Sequence, residues 1–183
     1  MKIKILLLLL FSACFSSYSQ EKEPVFFKRN ELKINTVMLI AGAFEATYER
    51  LLDDESGAGM AVFVSFDNDI DVNFSVTPFY RFYFGKKPAA GFFVEGFGML
   101  NNYVNQGYST YDFNTGTYIN EVPDKTVTDF ALGFGIGSKW ITKKGFLFEI
   151  NAGIGRNLFH NSNNNDDYEI VGRGGFSIGY RFN

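Results

Sequence analysis

The sequence contains few of the residues that carry redox, metal or covalent chemistry. Its 183 residues include one cysteine, one histidine, one tryptophan and four prolines. One histidine and one cysteine are too few to ligate a structural zinc ion. Asp67-Asn68-Asp69 and residues 163–167 offer oxygen ligands for a cation such as Ca²⁺, but neither has the spacing of a calcium-binding loop and both read as ordinary turns, so we predict no metal and no cofactor. The formal net charge of −3 provides no basic surface for phosphate groups, so no nucleic-acid partner is expected.

The composition is instead rich in phenylalanine (22), glycine (19) and tyrosine (10), and hydrophobic residues make up 46% of the chain. Such a chain is too apolar and too aromatic to remain disordered, and its length suits a single domain. Beyond residue 19, however, no apolar run reaches the ~18 residues that a membrane helix needs. The apolar residues must therefore be interspersed with polar ones in a regular pattern rather than gathered in long apolar segments.

Residues 1–19 have the layout of a secretory signal peptide. Two lysines precede an apolar core at residues 5–11, and Ser19 is a small residue at the predicted cleavage site. The alternatives are a membrane anchor, for which the core is too short, and lipoprotein processing at Cys14, whose preceding residues fit a lipobox only loosely. Cleavage leaves 15 basic and 20 acidic residues, a net charge of −5, and removes the single cysteine.

Most of the remaining sequence alternates between apolar residues and polar or small ones. From residue 70 to residue 84 the even positions are nearly all large and apolar, while the odd positions include Asp71, Asn73 and Arg81. This period of two is typical of a β-strand, whose successive side chains point to opposite faces. The pattern predicts eight strands, at residues 32–40, 44–52, 60–66, 70–84, 92–100, 130–140, 146–154 and 176–182.

Strand length and glycine placement favour a membrane barrel over a soluble β-sandwich, the competing interpretation. Many of the strands reach the ~9–11 residues that cross a bilayer at a tilt. Their polar faces carry many glycines, which suit a narrow lumen better than an open solvent face. We therefore predict an all-β fold, an eight-stranded antiparallel up-and-down transmembrane β-barrel at residues 31–183, preceded by a periplasmic segment at residues 20–30.

The predicted connections give the barrel an orientation. The two long polar loops, near residues 101–126 and 159–168, both follow odd-numbered strands, and every connection after an even-numbered strand is short. Outer-membrane barrels keep short turns in the periplasm and longer loops outside the cell. We therefore expect the outer membrane of a Gram-negative cell envelope, both termini in the periplasm, and a chain that ends at the eighth strand without a peptidoglycan-binding domain.

Six aromatic residues lie on the apolar strand faces near the predicted periplasmic rim. They are Phe82, Phe84, Trp140, Phe146, Tyr180 and Phe182. Aromatic rings concentrate at the interfaces of a membrane, whereas aromatics scattered through a soluble core would not gather at one end. We interpret these six residues as an aromatic girdle.

Four segments carry a family resemblance: the strand around Asn35, Tyr48-Glu49-Arg50-Leu51, Phe93-Val94-Glu95-Gly96, and the last strand from Gly175 to Phe182. Through them the chain resembles the small eight-stranded OmpA/OmpX-like outer-membrane barrels, and more closely the uncharacterised outer-membrane β-barrel domain families, over roughly residues 31–183. The last strand resembles the C-terminal signal that the barrel-assembly machinery reads, although Asn183 follows its final aromatic residue. Because these families serve many roles, the resemblance implies a fold and a location rather than an activity.

If odd positions point inward, the interior holds nearly balanced charges. The predicted set is Lys33, Arg81, Lys139, Arg173 and Arg181 against Glu45, Glu49, Asp71, Glu95, Asp129 and Glu149. An eight-stranded barrel is only wide enough for its own side chains, and an isolated buried ion is costly. We interpret the set as a structural plug of ion pairs; the alternative is a path for ions or protons.

One short motif, His160-Asn161-Ser162-Asn163, carries candidate catalytic chemistry. Its His-x-Ser-Asn spacing resembles that of the lipid A 3-O-deacylases, and the resemblance implies that His160 would activate Ser162. The residue that orients the histidine would then be Asp166, Asp167 or Glu169. The alternative is a solvated loop tip, because the following residues are rich in asparagine and do not read as a membrane-facing strand.

The long loop at residues 101–126 is the candidate binding surface, and it carries Tyr103, Tyr108, Tyr111, Phe113 and Tyr118. Tyrosine-rich loops on a rigid scaffold are adaptable binding surfaces, although the loop could equally serve only to cover the barrel.

We expect a structural, adhesive or complex-subunit role rather than an enzyme. A lipid A 3-O-deacylase-like hydrolase is the alternative, and a narrow porin is the third. Expected partners are outer-membrane lipid and lipopolysaccharide, the barrel-assembly machinery during insertion, and a protein in a membrane complex.

Overall fold

The computed structural model describes residues 28–107, 109–113, 116–119, 123–159 and 169–183. The predicted signal peptide at residues 1–19 lies outside these ranges, as does the predicted periplasmic segment up to residue 27.

Within the described residues the chain forms ten strands and one short helix. In chain order they are β1 (Asn30–Asn35), α1 (Thr36–Ile40), β2 (Ala43–Leu51), β3 (Ser56–Ser65), β4 (Val72–Tyr83), β5 (Gly91–Asn105), β6 (Thr110–Asp112), β7 (Thr117–Ile119), β8 (Lys125–Ile141), β9 (Phe146–Asn157) and β10 (Ile170–Phe182). Eight strands close a barrel in the order β1-β10-β9-β8-β5-β4-β3-β2, and every neighbouring pair is antiparallel. Strands β6 and β7 form a separate hairpin between β5 and β8. The predicted fold class is confirmed.

The alternation that predicts the strands also sorts the side chains of the barrel. In β4, Phe79, Arg81 and Tyr83 are buried in the lumen, while Tyr80 and Phe82 are exposed on the outer face. Exposed apolar side chains continue around the barrel at Leu32, Ile34, Phe44, Met60, Val62, Val64, Phe74, Phe92, Leu100, Leu132, Phe134, Ile136, Phe148, Ile150, Ile154, Phe176 and Ile178. The barrel therefore carries hydrophobic side chains outside and charged side chains inside.

The prediction of a first strand at residues 32–40 is wrong in its second half, because residues 36–40 form α1 instead of extending β1. Asn35 ends β1 and caps the helix: its Oδ1 accepts hydrogen bonds from the backbone N–H groups of Val37 (3.2 Å) and Met38 (3.4 Å). Asparagine stabilises a helix start in this way, since the first N–H groups have no partners within the helix. No helix in the described part of the chain is long and apolar enough to cross a membrane.

Inward-facing glycines make room for large side chains in the lumen. Gly137 lies beside Phe93 across the β5–β8 pair, and a Cβ atom at residue 137 would overlap the tip of the Phe93 ring. A Cβ atom at Gly57 would lie only 2.5 Å from a carboxylate oxygen of Glu49. The glycines therefore permit a lumen that is filled by aromatic rings and long charged side chains.

The connections define two ends of the barrel, which we call the terminal rim and the loop rim. The terminal rim holds the start of β1, the end of β10 and the turns at residues 52–55, 84–90 and 142–145. The loop rim holds α1, the connection at residues 66–71, the ends of β5 and β9, and the starts of β8 and β10. The connection after β5 is shorter than the predicted loop at residues 101–126, because β5 extends to Asn105 and β8 begins at Lys125.

Candidate functional site in the barrel lumen

Glu49 is the centre of a buried ion-pair network that crosses the lumen. Its Oε2 lies 2.7 Å from Lys33 Nζ and 3.1 Å from both Arg81 Nη1 and Lys139 Nζ. Its Oε1 accepts a hydrogen bond from the Tyr83 hydroxyl, which in turn accepts one from Lys139. These side chains come from β1, β2, β4 and β8. Three cations around one carboxylate need further anions, because an uncompensated buried charge is costly.

Glu149 and Glu95 supply part of that compensation. A carboxylate oxygen of Glu149 lies 2.7 Å from Lys33 Nζ, and the same group lies 2.9 Å from Arg81 Nη1. Glu95 accepts a hydrogen bond from Arg81 Nε at 2.6 Å. Each of these charges is nearly inaccessible to solvent, so the pairs act in a low dielectric, where such hydrogen bonds are strong.

Glu31 and Arg181 extend the network to the terminal rim and close it there. Glu31 accepts hydrogen bonds from Lys139 Nζ (2.6 Å) and from Arg181 Nε (2.7 Å). The Arg181 guanidinium also donates to the carbonyl oxygens of Pro88 (3.0 Å) and Ala89 (2.8 Å). These two residues belong to the turn at residues 84–90, and Ala89 is fully buried. The last strand thus holds this turn across the end of the lumen.

Arg173 forms the upper layer of the network, nearest the loop rim. Its Nη1 lies 3.1 Å from Glu95 Oε1, and its Nη2 lies 3.9 Å from Glu45 Oε1. The guanidinium carbon lies 5.5 Å from the centre of the Phe79 ring and 5.3 Å from that of Phe97. Stacking between two rings and pairing with two carboxylates holds this cation in one place.

We call this set the lumen network: Glu31, Lys33, Glu45, Glu49, Arg81, Tyr83, Glu95, Lys139, Glu149, Arg173 and Arg181. It includes nine of the eleven charged residues that the sequence places in the lumen. Asp71 and Asp129 are corrections. Asp71 lies in the connection before β4 and accepts a hydrogen bond from Gln106 Nε2 (2.7 Å) at the loop rim. Asp129 is buried, but its Oδ1 accepts the backbone N–H groups of Phe130 (2.6 Å) and Phe159 (3.0 Å).

Two members of the lumen network were missed by the sequence interpretation. Glu31 has the same inward parity as Lys33, but it lies at the predicted start of the barrel, ahead of the first apolar residue of β1. Tyr83 has the same parity as Arg81, but a tyrosine is not counted when only charged residues are considered. Extending the parity rule by one residue before the first strand would have found Glu31, and counting inward-facing tyrosines within the predicted strand at residues 70–84 would have found Tyr83.

Above Arg173 a cavity of about 380 Å³ opens toward the loop rim; we call it the loop-rim cavity. Most of its lining is apolar, and it is formed by Met38, Ala41, Phe63, Ile70, Val72, Met99, Tyr103, Ile170 and Val171 with backbone of residues 172 and 174. Its polar lining residues are Glu45, Ser75, Thr77, Asn101 and Arg173. The lumen is therefore packed with ion pairs at one end and hollow at the other.

The six predicted girdle residues all lie on the outer face near the terminal rim. Phe82, Phe84, Trp140, Phe146, Tyr180 and Phe182 are exposed, and each lies within two residues of the end of a strand at that rim. Neighbouring rings touch: the ring centres of Phe146 and Tyr180 are 5.5 Å apart, and those of Phe84 and Phe92 are 6.0 Å apart. The exposed rings therefore gather at the terminal rim, and their role as a girdle stays a prediction.

The predicted binding loop is only partly a loop. Tyr103 is a correction: it lies within β5, is 2% exposed and lines the loop-rim cavity. Tyr111, Phe113 and Tyr118 lie on or beside the β6–β7 hairpin and are exposed, with Phe113 90% exposed. The Tyr111 ring centre is 5.2 Å from that of Phe113 and 5.1 Å from that of Tyr118. Tyr108 lies outside the described residues.

The hypothetical catalytic residues do not form a described site. His160 and Ser162 lie outside the described residues. Glu169 is partly exposed beside the start of β10 and forms an ion pair with Arg156 on the barrel exterior. Among the ranges that the structure describes, no group of three or more His, Cys, Asp or Glu side chains is placed to hold a metal ion.

The architecture is similar to that of a solved barrel. The N-terminal β-barrel domain of Pseudomonas aeruginosa OprF matches this chain with a TM-score of 0.57 and 14% sequence identity, covering 85% of this chain and 98% of that domain. No family model matches the sequence, and no curated protein matches it. The structural match establishes a shared barrel fold, while the resemblance to uncharacterised barrel families stays a prediction.

Proposed function

We propose that this chain is an integral outer-membrane barrel with a closed lumen, which presents binding surfaces at its loop rim. The observation that supports this proposal is the inverted distribution of side chains. Exposed hydrophobic residues surround the barrel, while ten charged side chains of the lumen network lie inside it. Water-soluble monomers rarely expose continuous apolar surface on this scale, and only helices and closed barrels satisfy their backbone within lipid.

The girdle residues support an orientation for the barrel in the membrane. They mark one interface at the terminal rim, and short turns lie on the same side. In outer-membrane barrels the short turns face the periplasm. The proposed orientation therefore places both barrel ends of the chain in the periplasm and the β6–β7 hairpin outside the cell.

A closed lumen favours a structural, adhesive or subunit role over a porin. The lumen network fills the cross-section from Glu31 to Arg173, and the turn at residues 84–90 lies across the terminal rim. An eight-stranded barrel has no spare width for an aqueous path beside such side chains. The exposed rings of Tyr111, Phe113 and Tyr118 would then be the contact surface for a partner, with lipid and lipopolysaccharide around the barrel wall and the assembly machinery acting on β10 during insertion.

The single tryptophan provides a direct test of membrane insertion. Trp140 is 53% exposed on the outer face. In vesicles whose acyl chains carry bromine, we expect its fluorescence to be quenched and its emission to be blue-shifted relative to the unfolded chain. A matched control is Trp140→Phe with Phe113→Trp, which moves the fluorophore to the hairpin. This control should respond to acrylamide in the water and not to brominated lipid. If acrylamide quenches Trp140 equally in the vesicle-bound protein and in the unfolded chain, insertion is contradicted.

The binding role is tested separately at the loop rim. Mild-detergent extracts of the native cells should yield a partner that co-purifies with the wild-type chain and is lost when Tyr111, Phe113 and Tyr118 are all replaced by serine. Replacing the exposed outer-face residue Phe134 by leucine is the control. Protease added to intact cells should cut the chain only within residues 106–124 and 158–169. Cleavage confined to the turns at the terminal rim would reverse the orientation.

A further inference from the structure

The loop-rim cavity is a candidate ligand site that the closed-barrel role leaves unused. Its volume of about 380 Å³ lies within the ~300–1,000 Å³ range of small-molecule sites, near the lower end. Its floor is rigid, because Arg173 is stacked between the Phe79 and Phe97 rings and Met99 packs with them in one buried cluster. A preformed cavity of this size suits one small molecule rather than a peptide or a sugar chain.

The charges around the cavity indicate what kind of molecule fits. The lumen network contains five basic and five acidic side chains. Arg173, the cation nearest the cavity, is already paired with Glu95 and faces Glu45. An incoming carboxylate would approach those two glutamates, and an incoming amine would approach Arg173. Both would upset a balanced set of buried charges, so an uncharged ligand is favoured.

Two residues that line the cavity carry a buried polar atom without a hydrogen-bond partner in the described part of the chain. One is Arg173, whose Nη1 is compensated by its ion pair with Glu95, and the other is Asn101. Asn101 is 2% exposed, and its Nδ2 donates to Asn157 Oδ1 at 2.9 Å. Its Oδ1 has no hydrogen-bond partner in the described part of the chain. A buried acceptor without a donor destabilises the protein unless a donor is provided. Since Asn101 lines the cavity, a small adjustment of its amide would let a molecule in the cavity supply that donor.

We propose that the loop-rim cavity binds one small, uncharged, largely apolar molecule that carries a hydroxyl or amide hydrogen-bond donor. The apolar part lies against Met38, Phe63 and Val171, and the donor faces Asn101. The ligand enters from the loop rim, because the lumen network and the turn at residues 84–90 close the other end. This site goes beyond the proposed envelope role and does not depend on the identity of any protein partner.

The methionines of the chain provide the test. Met38 and Met99 line the cavity, whereas Met60 is exposed on the outer face and reports on detergent or lipid. The folded protein, labelled at the methionine methyl groups, is titrated in detergent micelles with 1-octanol, octanoate or octylamine and followed by NMR. We expect 1-octanol to shift the Met38 and Met99 signals saturably, while the Met60 signal moves only in proportion to added alcohol. Octanoate and octylamine should bind about tenfold more weakly, or not at all.

Two variants separate the donor contact from simple filling of the cavity. Asn101→Leu should weaken 1-octanol binding about tenfold, the effect of one hydrogen bond in a buried site, and leave the binding of octane unchanged. Val171→Phe should abolish the saturable shifts by filling the cavity; an unchanged Met60 signal shows that the barrel is folded. The proposal is overturned if Met38 and Met99 respond in parallel with Met60, if the charged probes bind as tightly as 1-octanol, or if Asn101→Leu binds 1-octanol like the wild type.

Discussion

Gly133 and Phe97 face each other across the β5–β8 pair, and the ring of Phe97 occupies the space that a side chain at residue 133 would need. A Cβ atom at residue 133 would overlap Phe97 Cζ and would also lie 2.5 Å from the carbonyl oxygen of Ile154. The glycine therefore sets the size of the ring that the lumen accepts. Since Phe97 also stacks on Arg173, this one missing side chain helps to position the upper layer of the lumen network.

Gly133→Ala should destabilise the barrel by about 1–3 kcal/mol, because the added methyl group overpacks the lumen. The measurement is denaturant unfolding of the refolded protein in vesicles. Gly96→Ala is the matched control, since a Cβ atom there meets nothing within 4 Å. Combining Gly133→Ala with Phe97→Leu should recover part of the loss. If both alanine variants unfold alike, the packing explanation is wrong.

Glu49→Gln should cost about 3 kcal/mol or more, because it leaves Lys33, Arg81 and Lys139 with too little negative charge in a buried site. Glu55→Gln, at an exposed turn position, should stay within about 0.5 kcal/mol of the wild type. Adding Lys139→Gln to Glu49→Gln restores the charge balance and should recover stability relative to the single variant. Additive losses in the double variant would argue against the ion-pair account.

Arg181→Met should release the turn at residues 84–90, since the guanidinium donates to the carbonyl oxygens of Pro88 and Ala89. Limited proteolysis detects the release of the turn as cleavage after Lys86, which lies in the same turn. Loss of these contacts should raise the rate of cleavage after Lys86 about tenfold, through easier local opening. Arg156→Met, which removes an ion pair on the barrel exterior, should leave that rate unchanged.

The wild-type protein should produce no stable open-channel steps in planar bilayers, because the lumen network blocks the path of hydrated ions. The recordings use protein whose insertion is verified by quenching of Trp140 with brominated lipid, so that silence reflects a closed lumen and not absent protein. Reproducible steps of one conductance level would show that ions pass the network, and they would favour the narrow porin over a structural or binding role.

The architecture follows from the sequence wherever period-two alternation extends across a whole strand. Residues 70–84 alternate almost without a break, and β4 occupies Val72–Tyr83. Inward parity likewise predicts that Glu49 and Arg81 share one lumen, and the two side chains form an ion pair there. Alternation reflects the different surroundings of the two faces of a strand. A barrel wall provides this difference, since one face lines the lumen and the other forms the apolar exterior.

Alternation fails where a side chain bonds to the backbone. Residues 36–40 continue the pattern of β1, yet the Asn35 amide caps a helix there. Asp129 has inward parity, yet its carboxylate accepts hydrogen bonds from the backbone N–H groups of Phe130 and Phe159 instead of pairing with a cation of the lumen network. The polar, asparagine-rich residues around Tyr103 predict a loop. Instead, β5 and β8 remain paired beyond Tyr103, as far as the pair of Asn105 with Lys125. These outcomes depend on partners distant in the sequence.

The closure of the barrel has a kinetic consequence. The pair Asn30 and Phe182 joins the first strand to the last, so the seam is made by residues almost a full chain length apart. Contacts of such long range form late and slowly. Until β10 arrives, β1 and β9 each present a free edge that can pair with another chain. A truncation within β10 should therefore produce aggregation rather than a smaller barrel, and the unclosed chain depends on being held apart from its neighbours until the seam is complete.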